Sequence, residues 1–253
     1  MVRGSNHSVE KAVAVLGVLA GGQPQRVGDI SNATHLGQST VSRLLATLES
    51  AAFIERDGGS GHFSLGPDLI TLAGVAANQH PLFRASRQVA QNLAFRLGVG
   101  VAVAVRRGDA AFYLLDFEGP DAPRNRTLAG QRDPLHATAV GKCLLLGLLP
   151  GERGSLLGNL RPLTARTITD HRRLDAELSL AERRGYVTEI EELGLGRAGL
   201  AAPIRDAGGA VRGALGISGP LSVLRLDERE SEYATAAIES AERIGSAVGY
   251  VGA

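Results

Sequence analysis

Lysine, cysteine and long apolar runs are scarce in this chain. Lysine occurs only at Lys11 and Lys142, so arginine carries nearly all the positive charge, a bias that reflects a GC-rich genome rather than any chemistry. The single cysteine, Cys143, excludes an internal disulfide and fits a reducing cytoplasm. No apolar run approaches the roughly 18 residues of a membrane span. The N-terminus lacks the apolar core and cleavage site of a signal peptide, and MVRGSNHS reads as a disordered start. A cytoplasmic protein without a membrane partner is the expectation.

Other absences remove whole classes of chemistry. Residues His7, His35, His62, His80, His136 and His171 include no i, i+4 pair, and no Cys-x-x-Cys exists, so no local metal site is expected. There is no G-x-x-x-x-G-K-[ST] phosphate loop, and GLGRAG at 194–199 follows no strand-to-helix unit. Cys143 and His136 lie seven residues apart, about two helical turns, which is a conceivable nucleophile pair. Cys143 sits within KCLLLGLL, however, and a thiol in apolar surroundings is normally inert core. An enzyme is not expected, nor any cofactor beyond a small-molecule effector.

The residues that are present point to nucleic acid. Residues 26–49 read RVGDISNATHLGQSTVSRLLATLE. Val27, Ile30, Ala33 and Leu36 recur on one helical stripe, and Val41, Leu44, Leu45 and Leu48 fall on a second at i, i+3, i+4 and i+7. Between them Asn32, Thr34, His35 and Gly37 break the pattern, with Gly37 free to take turn angles. Ser39, Arg43, Ala46 and Ser50 face away from the second stripe. Small polar residues with one arginine suit a major groove, where Arg grips guanine O6 and N7. Ser39 and Thr40 stand near the helix start, where N–H groups and hydroxyls favour phosphate. Taken alone this is equally an ordinary amphipathic hairpin. The flanks add more: Val9, Val13, Leu16 and Leu19 space a preceding helix. AAFIER, DGGSG and HFSLG read as strand, glycine turn and strand, with a tip at Gly58–Gly61 and His62 beside it. Three helices and a hairpin make a winged helix.

Length and composition allow a second domain: 253 residues at 44% hydrophobic content form one large or two modest globular units. Leu69, Leu72, Ala73 and Ala76 space a connecting helix that Pro81 ends. Beyond it, LFRASRQVAQNLAFRLG is amphipathic with Val89, Leu93 and Leu97 inward. GVAVAVRRGDAAFYLLDFEG and LAAPIRDAGGAVRGALGISG read as hairpins, and a last helix runs from Asp227 to Val251. Hairpins with helices set to one side predict an antiparallel α+β domain. Pro134 stands just before a further helix, whose N–H groups at His136, Ala137 and Thr138 would face outward as an anion site, with the Thr138 hydroxyl added.

These residues resemble the IclR family of bacterial transcription regulators along nearly the whole chain. The resemblance rests on STVSRLL (Ser39, Thr40, Arg43, Leu44 and Leu45), on Glu55-Arg56-Asp57 followed by Leu65-Gly66, and on PLHATAVGKCLL, TARTITD, RRGYVTEIEE and LAAPIRDAGGAVRGALGISGP, in that order. It implies a winged helix-turn-helix over 8–66, a linker helix over 67–80 that helps pair two chains, and a GAF-like effector and oligomerisation domain over 81–251. It implies a double-stranded DNA operator, a small organic or aromatic acid as effector, and a homodimer or homotetramer. The candidate DNA contacts are Arg26, Gln38, Ser39, Thr40, Ser42, Arg43 and His62. The candidate effector lining is His136, Ala137, Thr138, Gly141, Glu191, Gly199, Ala201 and Ser218.

The chain departs from the family at two places. Gly37 and Gln38 stand where Pro and Lys or Arg are frequent, which removes a phosphate contact and leaves Gln38 to read adenine. Ala198-Gly199 replaces a frequent Arg-Cys, removing a cation and a thiol, with Arg197 one place earlier as a substitute. Residues 1–80 carry five basic side chains (Arg3, Lys11, Arg26, Arg43, Arg56) and six acidic ones (Glu10, Asp29, Glu49, Glu55, Asp57, Asp68), a net charge of −1. A DNA-binding domain usually has a basic footprint. The alternative is therefore a small-molecule-binding interaction module whose winged helix no longer reads DNA.

Overall fold

The computed structural model describes residues 6–122 and 127–249. Val251, the expected end of the last helix, and residues 1–5 of the expected disordered start lie outside them. The chain divides into two compact units, residues 1–77 and 78–253.

The first unit holds α1 (His7–Leu19), α2 (Val27–Thr34), α3 (Gln38–Ser50), β1 (Ile54–Arg56) and β2 (Phe63–Leu65), and α4 (Asp68–Gln79) follows. Helix α1 begins at His7, because the Asn6 side chain caps it by accepting from the Ser8 N–H at 3.0 Å. That cap and the first turn of α1 lie inside the stretch MVRGSNHS. The core is Val15, Leu19, Ile30, Val41, Leu45, Leu48, Ile54 and Phe63. Burial of each such side chain contributes about 1.5–3 kcal/mol. The α3 stripe is as the spacing predicts. The α1 stripe is not: Val9 and Val13 are 58% and 61% exposed. Val15 and Leu19 form the buried i, i+4 pair, about a third of a turn round the helix from Val9 and Val13. Ala33 of α2 is likewise exposed.

The turn between α2 and α3 also differs from expectation. His35, not Gly37, takes the left-handed angles, with φ 57° and ψ 26° at the end of α2. Gly37 is extended (φ −62°, ψ 143°) and starts α3. A Cβ there meets nothing within 4 Å. Its φ is that of proline, and no acceptor is found for its N–H among the described residues. Gly37→Pro is expected to raise stability by about 0.4–1 kcal/mol by restricting the unfolded chain, an increase that thermal unfolding reads directly.

The wing is antiparallel, pairing Ile54 with Leu65 and Arg56 with Phe63. Gln25 joins it through two backbone bonds to Phe63 of 2.9 and 2.8 Å. At the tip the Asp57 carboxylate accepts from the Gly59 and Ser60 N–H groups and from the Ser60 hydroxyl.

The second unit is built on a six-stranded antiparallel sheet in the order β5-β4-β3-β8-β7-β6. Its strands are β3 (Gly100–Arg107), β4 (Ala110–Phe117), β5 (Arg132–Pro134), β6 (Val187–Ile190), β7 (Arg197–Arg205) and β8 (Val211–Pro220). Its helices are α5 (Pro81–Leu97), α6 (Ala139–Leu145), α7 (Pro150–Leu157), α8 (His171–Arg184), α9 (Leu221–Leu224) and α10 (Leu226–Gly249). Pro81 opens α5 rather than merely closing the helix before it, since a first-turn N–H has no helical partner to lose.

Helices cover both faces of the sheet, not one side. Val101, Val103 and Val105 of β3, Leu200, Ala202 and Ile204 of β7, and Leu215 and Ile217 of β8 pack with α5 and α10. The alternate residues Ala102, Ala104, Ala201 and Ala214 pack with α6 and α8. Strand alternation thus sends large side chains to one face and small ones to the other. On the small face Gly216 is required, because a Cβ there would lie 2.3 Å from Val140 Cγ1.

Candidate functional site

Two surfaces carry chemistry, one in each unit. On α3 the buried stripe leaves Gln38, Ser39, Ser42 and Arg43 exposed, with Thr40 half-buried. Gly37 supplies no side chain to cap the helix, so the N–H groups of Gln38 and Ser39 have no acceptor among the described residues. Arg43 forms no ion pair there. Its face is therefore unspent: donors, two helix-start N–H groups and a five-donor fork all point outward. Arg26 is exposed at the start of α2, where its backbone N–H donates to Asp29 Oδ2 at 3.1 Å. His62 is half-buried beside the wing turn, and its carbonyl accepts from the Asp57 N–H at 2.9 Å. Two of the domain's acids are thus engaged locally, Asp29 at α2 and Asp57 in the wing. Arg56 stacks over the Phe63 ring at 5.5 Å.

In the second unit a cavity of roughly 230 Å³ opens between the start of α6 and the small-residue face of the sheet. Thr138, Gly199 and Ser218 line it, together with Tyr113, Asp133, Glu189, Leu193 and Arg197. The other expected residues have different duties. His136 is buried, and its Nε2 lies 3.0 Å from the Arg161 carbonyl. Ala137 is fully buried. Gly141 packs backbone to backbone, since a Cβ there would lie 2.5 Å from the Leu135 carbonyl oxygen. Glu191 turns outward with φ 59°, accepts from the Gly196 N–H at 2.8 Å and pairs with Arg166 at 3.0 Å. The carbonyl of Ala201 accepts from Cys143 Sγ at 3.1 Å. That bond and complete burial, which pushes the thiol's pKa up, leave Cys143 an inert core residue, with no partnership with His136.

The expected anion site at Pro134 is not a helix start. Residues Leu135–Ala137 form a 3₁₀ turn, and α6 proper begins after Thr138. The Thr138 hydroxyl is committed, accepting from the Gly141 N–H at 3.0 Å and donating to the Pro134 carbonyl at 3.2 Å. Thr138→Ala is expected to cost about 0.5–2 kcal/mol as a lost cap, read as a lower melting temperature.

Three polar cavity residues, Tyr113, Asp133 and Glu189, escaped the sequence reading. Glu189 was the one with a legible signal: it follows Val187 by two on β6, so both face the α6 side, and it is only 6% exposed. Its Oε1 accepts from the Glu192 and Leu193 N–H groups at 2.6 and 3.2 Å, while burial holds its pKa above the usual carboxylate range. Tyr113 donates its hydroxyl to Asp133 Oδ2 at 2.9 Å. Burial first, then the neighbouring Asp133, raise the phenol's pKa, and the charge of Arg197 acts in the opposite direction. Tyr113 and Asp133 meet only through the β4–β5 pairing of Ala111 with Asp133, which no local pattern announces.

Behind the cavity, Lys142 of α6 is completely buried and donates to Glu177 Oε1 at 2.6 Å and Glu192 Oε1 at 2.5 Å. Glu192 in turn donates its N–H to Glu189. The buried ion cluster therefore ties α6, α8 and the loop after β6 to the cavity wall.

Comparisons with known proteins agree in both units. Residues 8–58 match the family model of the IclR helix-turn-helix domain, and residues 75–246 that of the bacterial transcriptional regulator IclR C-terminal. The chain is 31% identical over 245 residues to the glycerol operon regulatory protein of Streptomyces coelicolor, covering 96% of each. It is 31% identical over 228 residues to the HTH-type transcriptional repressor AllR of Escherichia coli, covering 89% of this chain and 84% of that one. An IclR transcriptional regulator structure from Alicyclobacillus acidocaldarius superposes with a TM-score of 0.86 at 26% identity, covering 97% of this chain and all of the other. An IclR homolog from Microbacterium hydrocarbonoxydans, complexed with 4-hydroxybenzoate, has a TM-score of 0.82 at 26% identity, covering 95% and 98%.

Proposed function

Since the chain belongs to the IclR family of bacterial transcriptional regulators, we propose that it is a ligand-responsive regulator binding a palindromic operator as a dimer or dimer of dimers. The observation that carries this reading is the outer face of α3. Gln38, Ser39, Ser42 and Arg43 are exposed, and none has a side-chain partner among the described residues. Thr40 and Arg26 flank that face and His62 extends it toward the wing. A second copy is supported by α4, which buries no residue within this chain and leaves Ile70, Leu72 and Val75 at least half exposed. A small organic molecule in the cavity biases the two DNA-binding domains between two arrangements, shifting operator affinity by its differential affinity for them. Thr138, Gly199 and Ser218 touch that molecule, and His136, Ala137, Gly141, Glu191 and Ala201 hold the walls. The related structure is complexed with 4-hydroxybenzoate, which makes an organic or aromatic acid the first occupant to test.

A mobility-shift titration on the DNA upstream of the gene tests the reading. A discrete complex whose affinity falls on unrelated DNA of equal length is expected. Equal binding to both, or none, favours the interaction module, to which the −1 charge of residues 1–80 points.

A further inference from the structure

The charges around the cavity argue about its occupant. Glu189 lies within the wall, 6% exposed, with Oε1 fully used by two backbone N–H groups. Its Oε2 has no hydrogen-bond partner among the described residues and sits over the cavity floor, 3.6 Å from where a Gly199 Cβ would be. On the opposite wall Asp133 gives one oxygen to Tyr113, leaving Oδ1 without a partner among the described residues. Both carboxylates thus line one small space. The donors that face them are few. Thr138 spends its proton on Pro134, Tyr113 spends its own on Asp133, and Ser218 offers one hydroxyl. Arg197, the one cation among the described lining residues, is exposed. Among those residues Asp133 and Glu189 against Arg197 leave a formal charge of −1, with an excess of acceptors.

We infer that the cavity takes a small molecule that donates hydrogen bonds and bears no negative charge, through hydroxyl or amino groups set between Asp133 and Glu189. The inference rests on the reading of this cavity as the effector site. A ligand hydroxyl or ammonium gives each of the two carboxylate oxygens a donor that the described lining does not supply. A ligand carboxylate places a third negative group among them and finds only Arg197 as a cation among the described lining residues.

Calorimetric titration of the full chain with three matched probes tests this: 4-hydroxybenzyl alcohol, 4-hydroxybenzylamine and 4-hydroxybenzoate, with glycerol against glycerate as an aliphatic pair. The alcohol or amine is expected to bind at least about tenfold more tightly than the acid of the same frame. The isosteric changes Asp133→Asn and Glu189→Gln are each expected to shrink that ratio, and Gly199→Val, which fills the floor, to abolish binding. An alcohol preference over an amine, or the reverse, separates a neutral polyol from a cation as the source of the donors. Tighter binding of the acids, lost in Gly199→Val, overturns the inference and leaves the cavity as the effector site. Binding of no probe, or binding indifferent to Gly199→Val, removes the cavity as the site and the inference with it. Retained DNA binding by each variant certifies that it is folded.

Discussion

Lys142→Met is expected to lower stability by about 3–5 kcal/mol, the cost of breaking a buried ion pair by removing one partner. Methionine keeps most of the volume, so the loss is electrostatic. Lys142 is 0% exposed and is the shared donor to Glu177 and Glu192. Without it Glu192, whose Oε2 already has no partner, faces the core alone. Burial already holds the Glu192 pKa above the usual range, and the lysine is the largest influence drawing it down. At roughly 2–4 °C per kcal/mol for a chain of this size, the melting temperature falls by about 6–20 °C. Glu177 is a quarter exposed and turns to water, so the double change Lys142→Met with Glu192→Leu is expected to recover most of the loss. Failure of the second change to restore stability would assign the effect to packing rather than charge. The cluster also anchors the loop that carries Leu193 over the cavity, so partial loss of effector response accompanies the loss of stability.

Arg43→Ala is expected to weaken operator binding by about 1–3 kcal/mol per half-site, a factor of roughly 5–150, with little change in stability. Arg43 is exposed, spends its guanidinium on no ion pair and lies one turn from the start of α3. A base contact shows as a loss on the operator that unrelated DNA does not share, whereas a phosphate contact lowers both equally. Arg43→Lys separates the two further, since an ammonium keeps the charge but not the planar fork. With a net charge of −1 over residues 1–80, the affinity is expected to fall only gently with salt. If Arg43→Ala binds the operator as tightly as the parent, α3 is not the reading helix. Gln38 is exposed and uncharged at the start of α3, and Gln38→Lys is expected to raise affinity for all sequences together.

The legibility of the fold varied with how local its causes are. The α3 stripe of Val41, Leu45 and Leu48 and the polar residues opposite it follow from a single helical period, and both hold in the structure. The hairpins of β3 with β4 and of β7 with β8 were visible because Gly108 and Gly209 mark tight turns with positive φ. Errors came where two local patterns competed. In α1 the valines at 9 and 13 have the same spacing as Val15 and Leu19, and only contact with α2 and α3 chooses between them. At the turn, glycine's freedom drew attention to Gly37, while His35, a residue type that tolerates left-handed angles, took the strain.

The candidate DNA face was legible because one helix carries nearly all of it. The cavity was not, because its walls come from all six strands of the sheet and the start of α6, brought together by strand order rather than by sequence distance. The choice of Glu191 over Glu189 shows the limit. Both acids lie in one short run, and only the pairing of Glu189 with Gly199 turns one inward, while the left-handed backbone at Glu191 turns the other out. By itself the sequence determined the winged helix, its outward polar face and the alternation of each strand, since these depend on periods of 3.6 and 2. Tertiary structure alone decided which of two equivalent stripes is buried, which carboxylates meet across the sheet and what charge the cavity offers, because burial and long-range pairing set those and neither has a local period.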